Sequence, residues 1–271
     1  MSLTAERLAT CDPVWSDIRI EAQEIVEFET ELAAFIYQAV LSHDHLEEAL
    51  SHILASKLST REVEPQTILK VFREAFEKAP EIGEAVRADI KAVLDRDPAC
   101  SNHVTPFLYF KGFHALQTHR LAHWLWSEGR TNMALFLQSR VSALFGVDIH
   151  PAAVMGRGIM MDHATGIVIG ETAVVGDDVS ILHDVTLGGT GKETEDRHPK
   201  IGNGVLISVG AKVLGNIEIG ECARIAAGSV VLHPVPAHCT VAGVPAKVVG
   251  CAGCDQPARE MNQLIEDKDD A

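Results

Sequence analysis

The sequence predicts an α + β solenoid protein, in which an N-terminal all-α helical domain is followed by a left-handed parallel β-helix of hexapeptide repeats. Two periodicities lead to this prediction. Apolar residues recur at helical spacing in the first part of the chain, and an aliphatic residue returns at every sixth position over long runs between Ile149 and Val231. We therefore assign residues 1–145 to the α-helical domain, residues 146–250 to the β-helix and residues 251–271 to an acidic flexible tail.

The hexad pattern defines the coil of the predicted solenoid. A period of six fits neither an α-helix nor an amphipathic strand, whereas three hexads make a triangular coil of about eighteen residues with inward-pointing aliphatic side chains. The period slips by two residues between Met161 and Ile169, and again between Leu187 and Ile201, where residues 188–200 form a predicted surface loop. The inward positions are Ile149, Met155, Met161, Ile169, Val175, Ile181, Leu187, Ile201, Ile207, Val213, Ile219, Ile225 and Val231.

The helical domain is predicted from apolar spacing and proline boundaries. The predicted helices run from Trp15 to about Leu58 with a break at 42–44, from Glu64 to Lys78, from about Ile82 to Arg96, from Phe107 to about Ser127 and from Met133 to Phe145. Three histidines, His114, His119 and His123, fall on the fourth of these helices. They could form a metal-binding face, but we favour histidines that pack one helix against its neighbours.

Composition narrows the class of protein further. A formal net charge of −15 disfavours general binding to nucleic acids or anionic membranes, because both would be repelled. The sequence shows no apolar run long enough to span a membrane and no secretory signal pattern. The six cysteines lack a disulfide-framework spacing, which is typical of reduced thiols in the cytoplasm. A lone CxxC at Cys251 and Cys254 has no second ligand pair, so we interpret it as incidental.

Because a solenoid is a scaffold, chemistry is expected where polar residues interrupt it. Asp148 and His163 lie fifteen residues apart, slightly less than one coil, so a carboxylate could contact the imidazole. An imidazole held by a carboxylate is poised as a general base. The spacing alone equally allows each residue to cap a corner turn. A second cluster of polar residues, 196–200, lies at the end of the 188–200 loop.

Several motifs resemble those of the serine O-acetyltransferases, the hexapeptide-repeat enzymes of cysteine biosynthesis. The resemblance extends over roughly residues 14–250. It is carried by Val147-Asp-Ile-His-Pro-Ala-Ala153, Asp162-His-Ala-Thr-Gly166, Val185-Thr-Leu-Gly-Gly-Thr-Gly-Lys192, Asp196-Arg-His-Pro-Lys200, Arg96-Asp-Pro98, Thr105-Pro106 and Lys111-Gly-Phe-His-Ala-Leu-Gln117. It implies transfer of an acetyl group from acetyl-CoA to the hydroxyl of L-serine, giving O-acetyl-L-serine and CoA.

The resemblance also implies roles for individual residues. His163 matches the family's general base and Asp148 its partner. Four residues match the family's amino-acid pocket: Asp97, Asp162, Arg197 and His198. These roles suit serine, because acidic groups can hold its ammonium while a guanidinium binds its carboxylate through two hydrogen bonds.

Acetyl-CoA is expected to lie along a groove between neighbouring solenoids. The expected contacts are Gly189, Thr190, Gly191, Val209, Ala227 and Lys247, while Lys212 and Arg224 are further candidates for the phosphates. No metal ion is expected. The resemblance implies a cytoplasmic homohexamer, built as a dimer of trimers, with L-cysteine as feedback inhibitor. Many family members end in isoleucine, which contacts an O-acetylserine sulfhydrylase; here the last isoleucine is Ile265, so that complex is in doubt.

The sequence leaves three alternative functions open. One is acyl transfer to a different hydroxyl, such as that of a sugar, because the solenoid itself is shared. Another is a zinc hydratase that uses His163, His183 and His198 at subunit interfaces. The last is a scaffold without catalysis, which the concentration of Asp, His and Arg at the interruptions disfavours.

Overall fold

The structure, a computed structural model, describes residues 12–191, 193–251 and 254–264. Its helices are α1 (Pro13–Phe28), α2 (Ala33–Ile36), α3 (Leu46–Leu58), α4 (Pro65–Lys78), α5 (Glu81–Arg96), α6 (Val104–Tyr109), α7 (Lys111–Ser127), α8 (Thr131–Phe145) and α9 (Pro257–Glu260), with a 3₁₀ turn at Thr30–Leu32 and a π-helical turn at Tyr37–Leu41. None of the helices in these ranges is long and apolar enough to cross a membrane. These helices confirm the α-helical region that was predicted from the sequence.

Two predicted helices are interrupted in the structure. The first, expected to run unbroken from Trp15 to the break at 42–44, ends at Phe28 because the backbone of Glu29 leaves the helical region. The second, expected over 107–127, is divided into α6 and α7 at Phe110, which has an extended backbone. The second interruption has a packing cause: it lets Gly112 abut the solenoid so closely that a Cβ there would lie 2.3 Å from the carbonyl oxygen of Met161.

The second half of the chain forms three narrow sheets, whose strands are parallel except in the last pair. Their strands are β1 (Val147–Ile149), β2 (Val154–Met155), β3 (Met160–Met161), β4 (Ile167–Ile169), β5 (Val174–Val175), β6 (Ser180–Ile181), β7 (Thr186–Gly188), β8 (Lys200–Ile201), β9 (Leu206–Ile207), β10 (Lys212–Leu214), β11 (Glu218–Ile219), β12 (Arg224–Ile225), β13 (Val230–Val231), β14 (Cys239–Gly243) and β15 (Ala246–Cys251). Sheet A has the order β1-β4-β7-β10-β13, sheet B β11-β8-β5-β2 and sheet C β15-β14-β12-β9-β6-β3. From β1 to β13, successive strands rotate through the three sheets, as a triangular coil requires, and β14 and β15 then both join sheet C.

The hexad residues point inward, as predicted. In sheet A the register aligns Ile149 with Ile169 and Ile169 with Leu187, and these side chains are buried. Burial of one stacked column per sheet accounts for the stability of the solenoid, since each coil covers the face of the next. The hexapeptide solenoid is thus confirmed.

Three corners separate the sheets, and two of them matter for function. The C–A corner, between sheets C and A, comprises residues 162–166, 182–185, 208–211 and 226–229. The A–B corner comprises residues 150–153, 170–173, 189–199 and 215–217, with residue 192 outside the described part of the chain. The two sequence slips fall at these corners: the first lengthens the C–A corner of the first coil and the second inserts the A–B loop.

A buried ion pair joins the helices to the solenoid. Arg120 on α7 donates to Asp89 on α5 at 2.7 Å and to the carbonyl of Gly156 at 2.6 Å, while the backbone N–H of Ile159 donates to Asp89 at 2.9 Å. Burial raises the pKa of Asp89, which the charge of Arg120 opposes. Because each polar group here has a partner, the pair fixes the orientation of the helices on the first coil.

The three histidines of α7 also serve packing. The ring nitrogens of His114, His119 and His123 lie at hydrogen-bond distance from the backbone carbonyls of Phe107, Ala153 and Pro151, respectively. Burial lowers the pKa of His114 to about 4 and that of His119 to about 3. The packing interpretation therefore describes them better than a metal face.

The first part of the predicted tail makes contacts with the solenoid. After β15 the chain forms α9, in which Ala258 is buried and its carbonyl accepts the hydroxyl of Ser180 at 2.7 Å. Asn262 is held through its carbonyl by Arg224 at 3.0 Å. These contacts could not be predicted from the acidic composition of the segment, because few apolar residues take part in them. Residues 257–262 thus contact the solenoid, the flexibility of the tail stays a prediction, and the acidic run 266–270 lies outside the described residues.

Candidate active site

His163 occupies the enlarged C–A corner of the first coil. Its backbone and that of Ala164 both adopt positive φ, 53° and 57°, a left-handed conformation that is costly for residues with a Cβ. The two consecutive left-handed residues turn the chain outward, and the His163 side chain is 76% exposed. The slip in the hexad period is therefore the feature that projects this imidazole from the solenoid.

A cavity of about 710 Å³ lies beside His163, between the solenoid and the helices. It brings together three of the predicted site residues, Asp97, Asp162 and His163. Asp97 follows α5, and its carboxylate accepts the backbone N–H of Ala99 at 2.8 Å. One carboxylate oxygen of Asp162 lies 3.7 Å from Nε2 of His163. The cavity thus offers two carboxylates and one imidazole to a small cationic or zwitterionic ligand.

Asp148 lies apart from this contact. It is on β1 with its side chain outside the core, and its carboxylate accepts Nε2–H of Gln138 on α8 at 2.7 Å. Of the carboxylates in the described chain, Asp162 rather than Asp148 makes the close approach to the His163 ring. The Asp148–His163 dyad consequently stays a prediction, and Gln138 is a neighbour that the sequence did not reveal.

Arg197 and His198 lie at the other edge of sheet A, on the A–B corner. Arg197 donates to the carboxylate of Glu171 at 2.6 Å, and this hydrogen bond lowers the pKa of Glu171. It also donates to the carbonyls of Thr194 and Glu195 at 3.3 and 3.1 Å. The guanidinium is therefore already oriented by its own chain before any ligand arrives.

The hydrogen bonds of His198 determine its tautomer. The ring is 7% exposed, and its Nδ1 accepts the backbone N–H of Thr172 at 3.1 Å, which places the ring proton on Nε2. The Thr172 hydroxyl accepts the backbone N–H groups of Arg197 and His198 at 3.0 and 3.1 Å. Burial, followed by the charges of Arg197 and Lys200, lowers the pKa of His198. Thr172 thus anchors the end of the loop, a role without a sequence signal.

One chain does not unite the predicted amino-acid pocket. Asp97, Asp162 and His163 are at the C–A corner, whereas Arg197 and His198 are at the A–B corner, and the width of sheet A separates them. The corners belong to opposite edges of the same narrow sheet. The predicted pocket residues therefore lie in two separate groups, here called half-sites.

The predicted acetyl-CoA contacts are divided in the same way. Val209 and Ala227 follow one another down the C–A corner, in line with His183, whose ring is 5.8 Å from that of His163. Gly189, Thr190 and Gly191 are on the A–B corner, and Lys247 is exposed on β15.

Two further phosphate candidates already have partners in the chain. Arg224 is buried and donates to Thr240 at 3.2 Å and to Asn262, so the structure does not support its assignment to phosphate. Lys212 donates to the Asp184 carboxylate at 3.0 Å. A buried guanidinium that already holds the chain is not available to a ligand on the outside.

The solenoid, its interrupted corners and the histidine-bearing cavity define the chain as a hexapeptide-repeat acyltransferase. Residues 198–233 match the family described as bacterial transferase hexapeptide (six repeats), and residues 14–118 match serine acetyltransferase, N-terminal. The chain belongs to the serine acetyltransferase family. It is 56% identical over 250 residues to the serine acetyltransferase of Salmonella typhimurium, covering 92% of both chains.

Solved structures agree with this family. A serine acetyltransferase from Brucella abortus in complex with coenzyme A is 55% identical to this chain and has a TM-score of 0.89. The match covers 91% of this chain and 99% of that protein. A serine acetyltransferase in complex with cysteine is 51% identical to this chain and has a TM-score of 0.92. The match covers 93% of this chain and 98% of that protein. The predicted activity is confirmed: the chain is an enzyme that uses acetyl-CoA to acetylate serine. A sugar acceptor, a zinc hydratase and a non-catalytic scaffold are not favoured.

Proposed function

We propose that His163 is the general base of this acetyl transfer. Its imidazole takes the proton from the serine hydroxyl as the oxygen attacks the thioester carbonyl, and the proton passes to the departing CoA sulfur. The bond from the acetyl carbon to sulfur breaks as the bond to oxygen forms. What supports this assignment is the position of His163, exposed at the mouth of the cavity that also holds two carboxylates.

The second part of the proposal concerns serine binding. Asp97 and Asp162 hold the ammonium group, and Arg197 with His198 holds the carboxylate. Because one chain separates these pairs, the C–A corner of one copy must face the A–B corner of another. His198 is suited to this task, since the tautomer set by Thr172 makes Nε2–H a donor.

Pairing of unlike corners is a heterologous contact, which closes into a ring when the rotation permits. We therefore propose a trimer with three identical interfaces and three sites. A second interface would join two trimers into a hexamer. It is supported by large apolar side chains exposed on the N-terminal helices, notably Phe28 at 88%, Tyr37 at 62% and Ile20 at 57%.

Acetyl-CoA is proposed to lie in the groove formed where two solenoids meet. Val209 and Ala227 continue the corner that carries His163, so they can guide an extended chain toward the base. Gly189, Thr190 and Gly191 would form the opposite wall from the neighbouring copy, where residues without large side chains allow close backbone approach. Lys247, which is exposed, would meet the phosphates.

L-Cysteine is proposed to inhibit by occupying the serine half-sites, since it carries the same ammonium and carboxylate. The relative bound to cysteine supports this proposal. A cytoplasmic location is also part of the proposal, supported by Cys100, Cys222, Cys239 and Cys251, none of which is in a disulfide. A sulfhydrylase complex stays a prediction, because residues 265–271 lie outside the described part of the chain.

The experiment that tests the assignment measures CoA thiol release from acetyl-CoA with and without L-serine. His163→Ala should lower the turnover by about 10²- to 10⁴-fold, as expected for loss of a general base, while acetyl-CoA binding stays near wild type. Asp148→Asn is the matched variant and should cost less, because it leaves the imidazole in place. Retention of more than half the wild-type turnover by His163→Ala would end the general-base assignment.

A further inference from the structure

Two cysteines face each other across the last strand pair of the solenoid. β14 and β15 are antiparallel, and their register places Cys239 directly opposite Cys251. Directly opposite residues in an antiparallel ladder point to the same face, with Cα atoms about 4.5 Å or about 5.5 Å apart. A disulfide spans Cα separations of roughly 4.4–6.8 Å, so both kinds of pair fit it. The sequence spacing of twelve residues gave no indication of this juxtaposition.

The two thiols are free and accessible to different degrees. Cys251 is exposed, Cys239 is half-buried, and neither is in a disulfide. Cys100, by contrast, is 6% exposed and packs within a small cluster between α5 and β3. An exposed thiol next to a sheltered one is the arrangement expected of an attacking and a resolving cysteine.

We propose that Cys239 and Cys251 form a redox-modification site that reacts with small disulfides of the glutathione class. The thiolate of Cys251 attacks one sulfur of glutathione disulfide, whose S–S bond breaks and releases one glutathione thiolate. The thiolate of Cys239 then attacks the Cys251 sulfur, forms the intrachain bond and releases the second glutathione. The protein loses two electrons and two protons, and glutathione disulfide is reduced to two thiols.

The site is connected to the C-terminal segment that reaches the candidate active site. The Thr240 hydroxyl donates to the carbonyl of Cys251 at 2.9 Å and accepts Nε–H of Arg224 at 3.2 Å. Arg224 in turn donates to the carbonyl of Asn262, next to Met261, which lines the cavity of His163. A bond between Cys239 and Cys251 therefore fixes the strand end from which this segment continues.

Disulfide mapping tests the chemistry directly. The purified full-length protein is incubated with glutathione disulfide, its remaining thiols are alkylated, and peptides are identified by mass spectrometry. We expect a peptide pair joined between Cys239 and Cys251, lighter by two hydrogens than the thiol pair. Cys239→Ser and Cys251→Ser must abolish it, whereas the control variants Cys254→Ser and Cys100→Ser must retain it. A persistent glutathione adduct on Cys251, or a bond from Cys251 to Cys254, would overturn the proposal.

Hydrogen exchange tests the connection to the C-terminal segment. Oxidation should slow amide exchange in residues 239–251 and 257–262 of the wild type and leave Cys239→Ser unchanged. Unaltered exchange in a wild-type protein whose disulfide has been mapped would refute the connection. Neither readout depends on acetyl transfer, so failure here is distinct from failure of the proposed catalytic roles.

Discussion

Gly170 determines where the His198 ring can lie, and Gly170→Ala is the sharpest perturbation of that half-site. A Cβ at residue 170 would lie 2.0 Å from Nε2 and 2.1 Å from Cδ2 of His198. Both distances are far inside van der Waals contact, so the ring must move. Movement breaks the hydrogen bond from Thr172 that fixes the tautomer, at about 0.5–1.5 kcal/mol, and adds an overpacking cost of about 1–3 kcal/mol.

We therefore expect Gly170→Ala to lower the free energy of unfolding by roughly 1.5–4.5 kcal/mol and to raise the serine KM at least about tenfold. Urea unfolding and initial rates of CoA release measure the two effects. Gly188→Ala is the matched control: Gly188 ends β7 one coil beyond Gly170, and its new Cβ would meet only side-chain methyl groups, of Leu214 at 3.1 Å and of Thr186 at 3.3 Å.

A double-mutant cycle isolates the ring as the cause. In a His198→Ala background the alanine at residue 170 meets no imidazole, so its cost to stability should shrink to well under 1 kcal/mol. The reasoning is refuted if Gly170→Ala leaves the serine KM unchanged, or if its cost persists undiminished when His198 is absent.

Two further predictions concern the ligand and the pH. Arg197→Ala should weaken serine and cysteine together by about 1.5–3 kcal/mol each, measured as serine KM and cysteine inhibition; unchanged inhibition would place cysteine at another site. His114, whose pKa burial lowers to about 4, stays neutral in the folded state, while the unfolded ring binds a proton below its ordinary pKa of 6.5. Its contribution to stability is thus present above that value and is lost as the pH falls, by about 2 kcal/mol at pH 5. Unfolding titrations of wild type and His114→Gln measure this loss, and equal slopes in both would contradict it.

The solenoid could be predicted because its physics is periodic. Every sixth side chain, such as Ile169 or Leu187, points into a narrow core that admits only apolar groups, so the pattern appears directly in the sequence. The enlarged corner at His163 could be predicted for the same reason, because the six-residue period of the sequence slips by two residues there. Features that depend on contact between distant segments left no such trace. The division at Phe110 follows from the close approach of Gly112 to Met161, and helical periodicity continues across it.

The sequence indicated which residues form the candidate site but not how their side chains are arranged. Motifs indicated Asp97, His163 and Arg197, but not that Glu171 orients the guanidinium of Arg197. The hydroxyl of Thr172, which anchors the loop, is one among many in the sequence. The pairing of Cys239 with Cys251 depends on the register of β14 against β15. This register could not be predicted from the sequence, because the ladder shifts between Thr240 and Val241.

Subunit complementation tests the central claim, that each active site is assembled from two copies, most directly. His163→Ala and Arg197→Ala are each purified alone, and are also co-expressed in equal amounts so that mixed oligomers form. If the corners of different copies face each other, random assembly gives one interface in four with both half-sites intact, and the mixture should recover about a quarter of the wild-type kcat/KM for serine. If each chain carries a complete site, the mixture will be no more active than the average of the two variants, and the account will be wrong.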